Sequence, residues 1–266
     1  MKPVIPDYVK GHGLLAGKSV LITAAAGGGI GFSAARRAAE EGCRALMISD
    51  IHAQRLEAAV AQLKNELREE TGLQEIYGQL CDVTQEEQVR ALVAKAEERL
   101  HGVDVLINNA GLGGSRRVVD MSDAEWSRVL DITLTGTFRM TRAMLPAMQQ
   151  RGKGVIVNNA SVLGWRAQKE QAHYAAAKAG VMALTRCSAL EAAEFGVRIN
   201  AVAPSIALHD FLRKAAPQDL LDHLASREAF GRAAEVWEVA NVMMFLASDY
   251  ASYMVGEVLS TSSQHA

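Results

Sequence analysis

The sequence predicts an α/β fold with a doubly wound, mostly parallel sheet. Short apolar runs alternate with amphipathic helical stretches along most of the chain, and this alternation is typical of parallel strands joined by crossover helices. A glycine-rich turn also connects the first apolar run to a helix. The chain has 266 residues, 49% of them hydrophobic, which is enough for one domain with a large core. We therefore interpret residues 1–266 as a single domain.

Five apolar runs predict buried strands. Each has four to six residues and is rich in aliphatic side chains, as strands buried on both faces of a parallel sheet are. They are residues 19–23, 45–49, 103–108, 155–158 and 197–202, and a weaker strand pattern at residues 75–81 falls in phase with them. Ligands of such sheets bind at the carboxyl ends of the strands, where the two halves of the sheet diverge.

The segments between these runs predict helices. Apolar residues recur at helical spacing in residues 56–67 and 89–100, which indicates one buried face on each helix. Thr84 and Glu87 have the spacing of a capping box at the start of the second of these helices. Asp123 is expected to cap a further helix that continues to residue 134. Residues 205–232 show little strand character and an uneven helical pattern, so we interpret them as a lid over the site.

Composition excludes several classes of protein. A net charge of -2 provides no basic field for nucleic acid or an anionic membrane. The sequence contains no apolar run long enough for a membrane span, and its first residues lack the apolar core of a secretory signal. Three widely spaced cysteines, at positions 43, 81 and 187, argue against a disulfide framework or a metal site. They are typical of a protein in the reducing cytoplasm.

The first predicted strand runs into the glycine-rich turn at residues 24–31. Glycines let a backbone approach a pyrophosphate, and the following helix offers free N–H groups to it, although a glycine cluster alone also fits an ordinary turn. Asp50 ends the second strand, 19 residues after Gly31, close to the spacing at which an acid binds the adenosine ribose. A carboxylate there favours NAD(H) over NADP, whose 2′-phosphate it would repel, and Ile51 follows it rather than an arginine. Asp82 after the third strand either reaches the adenine or caps a turn at Thr84.

Tyr174 and Lys178 are candidate catalytic residues. At positions i and i+4 they share one helix face, and an ammonium beside a phenol is expected to lower the tyrosine pKa toward a useful range for acid–base catalysis. Ser161 comes 13 residues earlier, after the strand at 155–158. A strand end at the carboxyl edge of the sheet is where a catalytic hydroxyl is expected.

In their order and spacing these motifs resemble the short-chain dehydrogenase/reductase family, with its Rossmann fold, over residues 14–259. The matching pieces are the glycine turn, Asp50, Cys81-Asp82-Val83, Asn108-Asn109-Ala110-Gly111, Ser161, Tyr174 with Lys178, Asn200-Ala201-Val202-Ala203-Pro204, Phe230-Gly231-Arg232 and Phe245-Leu246-Ala247-Ser248-Asp249. The resemblance implies a metal-free NAD(H)-dependent oxidoreductase that interconverts a secondary alcohol and a ketone. It also implies a homotetramer.

The resemblance assigns roles to individual residues. Tyr174 would exchange a proton with the substrate oxygen, Ser161 would hydrogen-bond that oxygen, and Lys178 would bind the nicotinamide ribose. Thr133 occupies the position of the family's catalytic asparagine, whose main-chain carbonyl holds a water molecule linked to the lysine. The implied cofactor contacts are Thr23, Gly29, Ile30, Gly31, Asp50, Asp82, Val83, Asn109, Ala110, Gly111, Tyr174, Lys178, Pro204 and Ile206.

The sequence departs from the family pattern at Ala24, Thr133, Ser205 and His209, and in its Ser-Ser-Gln-His-Ala ending. Together these departures resemble one subgroup, whose members oxidise a hydroxyl group on a hydroxy-indanone propanoyl-CoA intermediate of bacterial steroid ring C and D degradation. This resemblance implies a bulky bicyclic CoA thioester as substrate and oxidation as the direction. His209 remains open between a lid-surface residue and a contact to cofactor or substrate, and His173 is expected to pack or to lie in an interface.

Two alternatives remain at this stage. One is an NADPH-dependent reductase of 3-oxoacyl thioesters on acyl carrier protein or CoA, with the same fold. The other is a catalytically silent nucleotide-binding regulator, which Thr133 keeps open. The presence of Ser161, Tyr174 and Lys178 together argues against the regulator, since a protein that only binds a nucleotide does not need them.

Overall fold

The chain forms a seven-stranded parallel sheet with helices on both faces. The computed structural model describes residues 5–73, 75–209, 212–213 and 217–264. The sheet contains β1 (Ser19–Ile22), β2 (Ala45–Asp50), β3 (Ile76–Leu80), β4 (Val105–Asn108), β5 (Gly154–Asn159), β6 (Val197–Pro204) and β9 (Val258–Thr261). Its order is β3-β2-β1-β4-β5-β6-β9, and each neighbouring pair is parallel. The predicted fold class is confirmed.

Eight helices of at least eight residues lie in the part of the chain that the structure describes. They are α1 (Ile30–Glu40), α2 (Ala53–Thr71), α3 (Glu86–Arg99), α4 (Asp123–Leu130), α5 (Gly136–Arg151), α6 (Ala172–Ala193), α7 (Gln218–Ser226) and α8 (Val236–Ala247). A second, two-stranded parallel sheet pairs β7 (Ala207–Leu208) with β8 (Ala234–Glu235).

The five central strands β1, β2, β4, β5 and β6 are buried on both faces, which explains their apolar runs. The edge strands β3 and β9 are partly exposed. Successive side chains of a strand point to opposite faces, so Val20 and Ile22 pack with α1, α2 and α8. Leu21 between them packs on the other face with α3, α5 and α6. The sheet therefore has one apolar layer on each side, and the polar groups are left for its carboxyl edge.

The predicted capping box of α3 is wrong. The helix begins at Glu86, and its N-cap Gln85 makes no side-chain capping bond. Thr84 instead turns back, and its hydroxyl donates to Asp82 over 2.8 Å. The local Asx turn competes with the helix cap because a short carboxylate can accept from groups two residues ahead of it.

The expected cap of α4 is also displaced by one residue. Ser122, not Asp123, is the N-cap, and it forms a reciprocal capping box with Glu125. The hydroxyl of Ser122 accepts from the N–H of Glu125 over 3.2 Å. The helix then continues into α5 through a π-helical segment at Asp131–Thr135. Such bulges occur frequently at functional sites, and this one contains Thr133.

Most of the segment interpreted as a lid, residues 205–232, lies within the described residues. It contains β7 and α7, while the parts of that interpretation at residues 210–211 and 214–216 lie outside the described residues. Within the described ranges, no helix is long and apolar enough to cross a membrane, and no cluster of three metal-ligating side chains occurs.

Candidate active site

The carboxyl edge of the sheet gathers the residues singled out in the sequence. Strands β1 and β4 are neighbours, and their connections run in opposite directions across the sheet, which creates the crevice at which doubly wound sheets bind ligands. The glycine turn follows β1, Asp50 ends β2, Asn109 follows β4 and Ser161 follows β5. Residues separated by more than a hundred positions therefore meet at one edge.

Ser161 and Tyr174 lie together. Their side chains interact, since the Ser161 hydroxyl lowers the pKa of Tyr174, although one residue follows a strand and the other belongs to α6. The Ser161 hydroxyl also accepts from the N–H of Leu163 over 3.2 Å and lies 3.5 Å from the carbonyl oxygen of Pro204. Ser161 is only 8% exposed, so its orientation is fixed by packing before any ligand binds.

Lys178 completes the group from one helical turn further along α6. Its Nζ atom lies 5.5 Å from the centre of the Tyr174 ring and donates to the carbonyl oxygen of Asn159 over 2.5 Å. The side chain is 3% exposed. A lysine buried to this extent is held in one position, and its remaining N–H donors are directed at the crevice wall near Gly111, where an added Cβ would lie 3.4 Å from Nζ.

The expected lowering of the Tyr174 pKa is not what this environment produces. Burial raises the pKa of Tyr174 to about 12, and the hydrogen bond with Ser161 offsets only part of that effect. Burial also lowers the pKa of Lys178 to about 7. The physical reason is that both groups are removed from water, which disfavours the phenolate and the ammonium alike. A lysine that is only partly charged near neutral pH exerts a weaker field on its neighbour.

Thr133 is fully buried, and its side chain contacts the loop that follows β4. Its hydroxyl accepts from the N–H of Leu112 over 3.0 Å. Its carbonyl oxygen accepts from the hydroxyl of Thr137 over 2.8 Å, which occupies one of the two lone pairs of that oxygen. Thr133 thus fixes the backbone at 111–112.

The ends of β1 and β4 are joined by side-chain hydrogen bonds. The hydroxyl of Thr23 accepts from the N–H groups of Asn109 and Ala110 over 3.0 and 3.1 Å. In return, the amide of Asn109 donates to the carbonyl oxygens of Thr23 and Ala24 over 3.2 and 2.9 Å. These four bonds fix the glycine turn relative to the loop that follows β4.

The glycine turn fits a pyrophosphate. The N-cap of α1, Gly29, carries no side-chain cap, so the first N–H groups of the helix are free to bind an anion. At Gly31, a Cβ would lie 2.6 Å from the carbonyl oxygen of Ala24 and 2.4 Å from the Asn109 amide, so only glycine fits. Gly27 and Gly28 have positive φ and no atom within 4 Å of an added Cβ, which leaves open space above the turn.

Ala24 stands where the family normally has the first glycine of the turn. It adopts φ of 50°, in the left-handed region that disfavours residues with a Cβ. The backbone thus keeps a glycine-like path at this position despite the substitution.

Asp50 faces the glycine turn. Its carboxylate accepts from the N–H of Ala26 over 3.3 Å and from that of His52 over 3.0 Å. Burial raises its pKa, and these bonds together with Arg55 act in the opposite direction. The Arg55 guanidinium lies 3.6 Å away. Arg55 was missed in the sequence because it follows Asp50 by five residues and not by one, in the first turn of α2.

The side chains of Asp82 and Val83 make contacts with neighbouring protein groups. One carboxylate oxygen of Asp82 accepts from the N–H and hydroxyl of Thr84 over 2.9 and 2.8 Å, which favours the cap-like interpretation. Val83 packs so closely on Gly136 that an added Cβ there would lie 2.7 Å from Val83. An adenine contact of either side chain stays a prediction.

The two histidines left open by the sequence now differ. The ring of His209 lies beside the glycine turn, 3.8 Å from the position of a Cβ on Gly29, which favours a cofactor contact. His173 is buried, and its Nδ1 atom accepts from the N–H of Tyr174 over 2.9 Å. This bond leaves its proton on Nε2, which lies against Gly114, so His173 packs beneath the loop after β4.

Known proteins resemble the chain over nearly its full length. A family model described as enoyl-(acyl carrier protein) reductase matches residues 24–262. The chain is 59% identical over 263 residues to a Mycobacterium tuberculosis protein named (5R,7aS)-5-hydroxy-7a-methyl-1-oxo-2,3,5,6,7,7a-hexahydro-1H-indene-carboxyl-CoA reductase, a match that covers 98% of each chain. It is 35% identical to the 3-oxoacyl-(acyl-carrier-protein) reductase of Thermotoga maritima, over 92% of this chain and 96% of that protein.

Two solved structures also resemble the chain over nearly its full length. A short chain dehydrogenase from Mycobacterium smegmatis is 55% identical, with complete coverage of both chains and a TM-score of 0.87. Levodione reductase is 35% identical and has a TM-score of 0.87, with 94% of this chain and 97% of that chain covered. The parallel sheet, its connections and its carboxyl edge are therefore common to all three chains.

Proposed function

Because the chain belongs to the short-chain dehydrogenase/reductase family, we propose that it transfers hydride between NAD(H) and a ring carbon of a bicyclic CoA thioester. The family makes it an oxidoreductase that interconverts a secondary alcohol and a ketone with a nicotinamide cofactor. We propose in addition a cofactor preference, a substrate and the roles of individual residues. The observation that carries it is the placement of Ser161 beside Tyr174 and Lys178 at the carboxyl edge of the sheet.

The three side chains suit proton transfer at a carbonyl oxygen. When bound, the nicotinamide supplies or accepts the hydride. In reduction, Tyr174 donates its proton to the developing alkoxide, because a phenol with a pKa of about 12 is fully protonated near neutral pH. Ser161 donates a hydrogen bond to the same oxygen and stabilises its charge. In oxidation Tyr174 must first lose its own proton, and its phenolate then takes the hydroxyl proton of the alcohol. Lys178, whose pKa is about 7, is only partly protonated near neutral pH and can hold or release a proton at Nζ.

The cofactor is proposed to lie from the glycine turn to Lys178. The pyrophosphate would bind the α1 N-terminus at Gly29, Ile30 and Gly31, and the adenosine ribose would bind Asp50. Asn109, Ala110 and Gly111 would line the path to the nicotinamide. Pro204 and Ile206 would flank the nicotinamide ring. The carboxylate of Asp50 would accept from the ribose hydroxyls of NAD and repel a 2′-phosphate, so NAD is the proposed cofactor.

The substrate proposal rests on the Mycobacterium tuberculosis relative. Its name describes a CoA thioester of a bicyclic ring system that carries a hydroxyl group and a ring ketone, and its 59% identity over 98% of each chain supports a similar pocket in this chain. The relative is called a reductase, whereas the sequence resemblance implied oxidation. These are the two directions of one equilibrium, so assays must run both.

The pocket walls fit a large substrate held by loops. Residues 113–116 pair with residues 168–171, since the N–H of Arg116 donates to the carbonyl oxygen of Glu170 over 2.9 Å and the Gln171 amide donates to Gly114 over 2.7 Å. We propose that these loops and a lid at residues 205–232 enclose the rings. We further propose one catalytic domain spanning residues 1–266.

We also propose a homotetramer. Apolar side chains stay exposed on α5 and at the end of α6, at Phe138, Leu190 and Phe195, and exposed apolar patches of this kind mark interfaces. Small residues on α6, such as Ala175, Ala176 and Ala179, would let helices of two copies approach closely. Light scattering checks this: a tetramer mass is expected, and a monomer mass at micromolar concentration would reject it.

A second candidate is an NADPH-dependent reductase of 3-oxoacyl thioesters. Two observations favour it: the Thermotoga maritima relative of that name and Arg55, which lies near Asp50 and could bind a 2′-phosphate. Against it stands the Asp50 carboxylate itself, which faces the glycine turn. Cofactor preference therefore separates the two candidates.

The deciding experiment is a turnover assay with both cofactors. It compares a bicyclic hydroxy-CoA thioester of the kind named above with straight-chain 3-hydroxyacyl-CoA, and the corresponding ketones in the reverse direction. The proposal expects the bicyclic thioester with NAD(H) to give the higher kcat/KM by at least about tenfold. Preference for the straight-chain thioester with NADP(H) would establish the second candidate instead.

A further inference from the structure

Two of the departures from the family pattern meet at one buried carboxylate, Glu228. Ser205 stands where the family has glycine, and the chain ends in Ser-Ser-Gln-His-Ala. Glu228 is 5% exposed and lies two residues beyond the end of α7, the helix of the proposed lid. A buried carboxylate needs several donors to remain ionised, and here they come from both departures.

The donors are residues of the carboxyl-terminal tail and of the segment after β6. One carboxylate oxygen accepts from the N–H and hydroxyl of Ser263 over 3.1 and 2.9 Å and from the hydroxyl of Ser262 over 3.4 Å. The other accepts from the Gln264 amide over 2.8 Å. Ser205 adds a further side-chain hydrogen bond, and these bonds lower the pKa of Glu228 against the effect of burial.

The tail is held from its other side by the loop that connects Ser161 to Tyr174. Arg166 in that loop donates to the carbonyl oxygen of Gln264 over 2.8 Å and lies 3.5 Å from the hydroxyl of Ser262. Residues 262–264 therefore lie between the base of the lid and the loop that follows the catalytic serine. Ser205, at the other end of this network, directly follows Pro204, whose carbonyl oxygen lies 3.5 Å from the Ser161 hydroxyl.

We propose that Glu228 is a positioning residue that, through the tail 262–264 and Arg166, holds the base of the lid at residues 226–230 and loop 162–171 as fixed walls of the substrate pocket. The proposal rests on the function proposed above, because it assigns the walls of that same pocket. Glu228 does not touch the reacting atoms; it acts through the tail. A larger, ring-shaped substrate depends on such fixed walls more than a small alcohol does, because more of its surface contacts them.

The nearby carboxylate of Glu238 offers a matched control. Glu238 lines the same cavity as Glu228, but it pairs with Arg232 over 2.7 Å and not with the tail. The change Glu238→Gln therefore removes a partly buried charge from the same neighbourhood and leaves the link between lid, tail and Arg166 intact.

The first arm of the test measures hydrogen exchange of the NAD-bound protein and needs no substrate. Glu228→Gln, and separately a chain that stops after Thr261, should each speed amide exchange in residues 162–171 by about tenfold or more, because each removes charge-assisted hydrogen bonds that hold the tail. The double variant should equal either single variant, since both break one link. Unchanged exchange in 162–171, or an equal rise with Glu238→Gln, would overturn the proposal. If Glu228→Gln does not fold, the truncated chain decides alone.

The second arm measures kinetics with the bicyclic thioester and with a small secondary alcohol. Glu228→Gln should raise KM for the thioester by about tenfold with kcat within about twofold, while kcat/KM for the small alcohol changes little. Equal losses on both substrates would assign Glu228 a general structural role and reject the positioning role. If the wild-type protein fails to turn over the thioester, the proposed function fails, and the exchange arm still decides whether the link exists.

Discussion

The Nζ atom of Lys178 lies 5.5 Å from the centre of the Tyr174 ring, and beside Ser161 the Lys178 side chain is buried while Tyr174 is half-buried. Burial moves the two pKa values in opposite directions, to about 12 for Tyr174 and about 7 for Lys178. Near neutral pH the phenol is protonated and the lysine titrates. The pair is thus set to hold a proton at Tyr174 and to exchange one at Lys178, with consequences for stability as well as for activity.

Lys178 should make the protein more stable as pH rises from about 7 to 10.5. Its pKa is lowered from 10.5 in the unfolded chain to about 7 in the fold, so the unfolded state binds more protons in this range and the free energy of unfolding increases with pH. In Lys178→Met this contribution, up to about 1.4 kcal/mol per pH unit, should disappear. Urea unfolding at pH 7, 8 and 9 measures it.

The control for this experiment is Lys153→Met, because the Lys153 side chain is 70% exposed. The free energy of unfolding of wild type minus that of Lys178→Met should increase as pH rises, while the same difference for Lys153→Met should show no such increase. Parallel pH profiles for wild type and Lys178→Met would show that the buried lysine does not titrate in this range.

Asp50 should set the cofactor preference. Replacing it with alanine removes the repulsion of a 2′-phosphate and frees Arg55, now 3.6 Å from the carboxylate, to bind that phosphate. Asp50→Ala should therefore reduce the ratio of NAD to NADP specificity by about tenfold or more. Steady-state kcat/KM for both cofactors measures it, and the double variant Asp50→Ala/Arg55→Ala should regain little NADP activity. An unchanged ratio in Asp50→Ala would reject the assigned role.

Gly31 should tolerate no side chain. An added Cβ would lie 2.6 Å from the carbonyl oxygen of Ala24 and 2.4 Å from an Asn109 amide that already makes two backbone hydrogen bonds. Gly31→Ala should lower stability by about 1–3 kcal/mol and weaken NAD binding, as thermal unfolding and calorimetry would measure. Gly113→Ala, where a Cβ meets nothing within 4 Å, should change neither. Wild-type NAD affinity in Gly31→Ala would contradict the proposed pyrophosphate site.

Thr133 should act through its hydroxyl on the loop that follows β4. Thr133→Val keeps the shape but leaves the N–H of Leu112 without its partner at 3.0 Å, which should cost about 1–3 kcal/mol of stability. The displaced backbone at Gly111 should also raise KM for NAD. Thr133→Ser retains the hydroxyl and should behave like wild type in both measurements. Equal behaviour of the valine and serine variants would show that the hydroxyl has no such role.

The sequence predicted the elements that depend on local pattern. Apolar runs identified strands β1, β2, β4, β5 and β6 to within about two residues, because burial on both faces of the sheet requires aliphatic residues along the whole strand. The edge strand β3 is partly exposed, so its pattern is weaker. The sequence also predicted that residues 161, 174 and 178 lie at one site. The positions of strand ends in a doubly wound sheet follow from the order of its elements, and i and i+4 positions share a helix face.

Other features arise from contacts that no local pattern contains. The direction of the Tyr174 pKa depends on how completely α6 and the strand ends remove it from water. The links of Glu228 join residues 205, 228 and 262–264, which are far apart along the chain. Ser122 displaced Asp123 as the helix cap because both are good capping residues and the exact start of a helix is decided by the turn before it.

The most direct test of the account is the rate of hydride transfer in Tyr174→Phe, measured in a single turnover with bound NAD(H) and the bicyclic thioester. Loss of the phenolic proton should slow this step by about 10²- to 10⁴-fold, the usual range for a general acid. NAD affinity and thermal stability should stay near wild type, and Ser161→Ala should show the same pattern. A transfer rate in Tyr174→Phe within about twofold of wild type would contradict the assignment of the catalytic group.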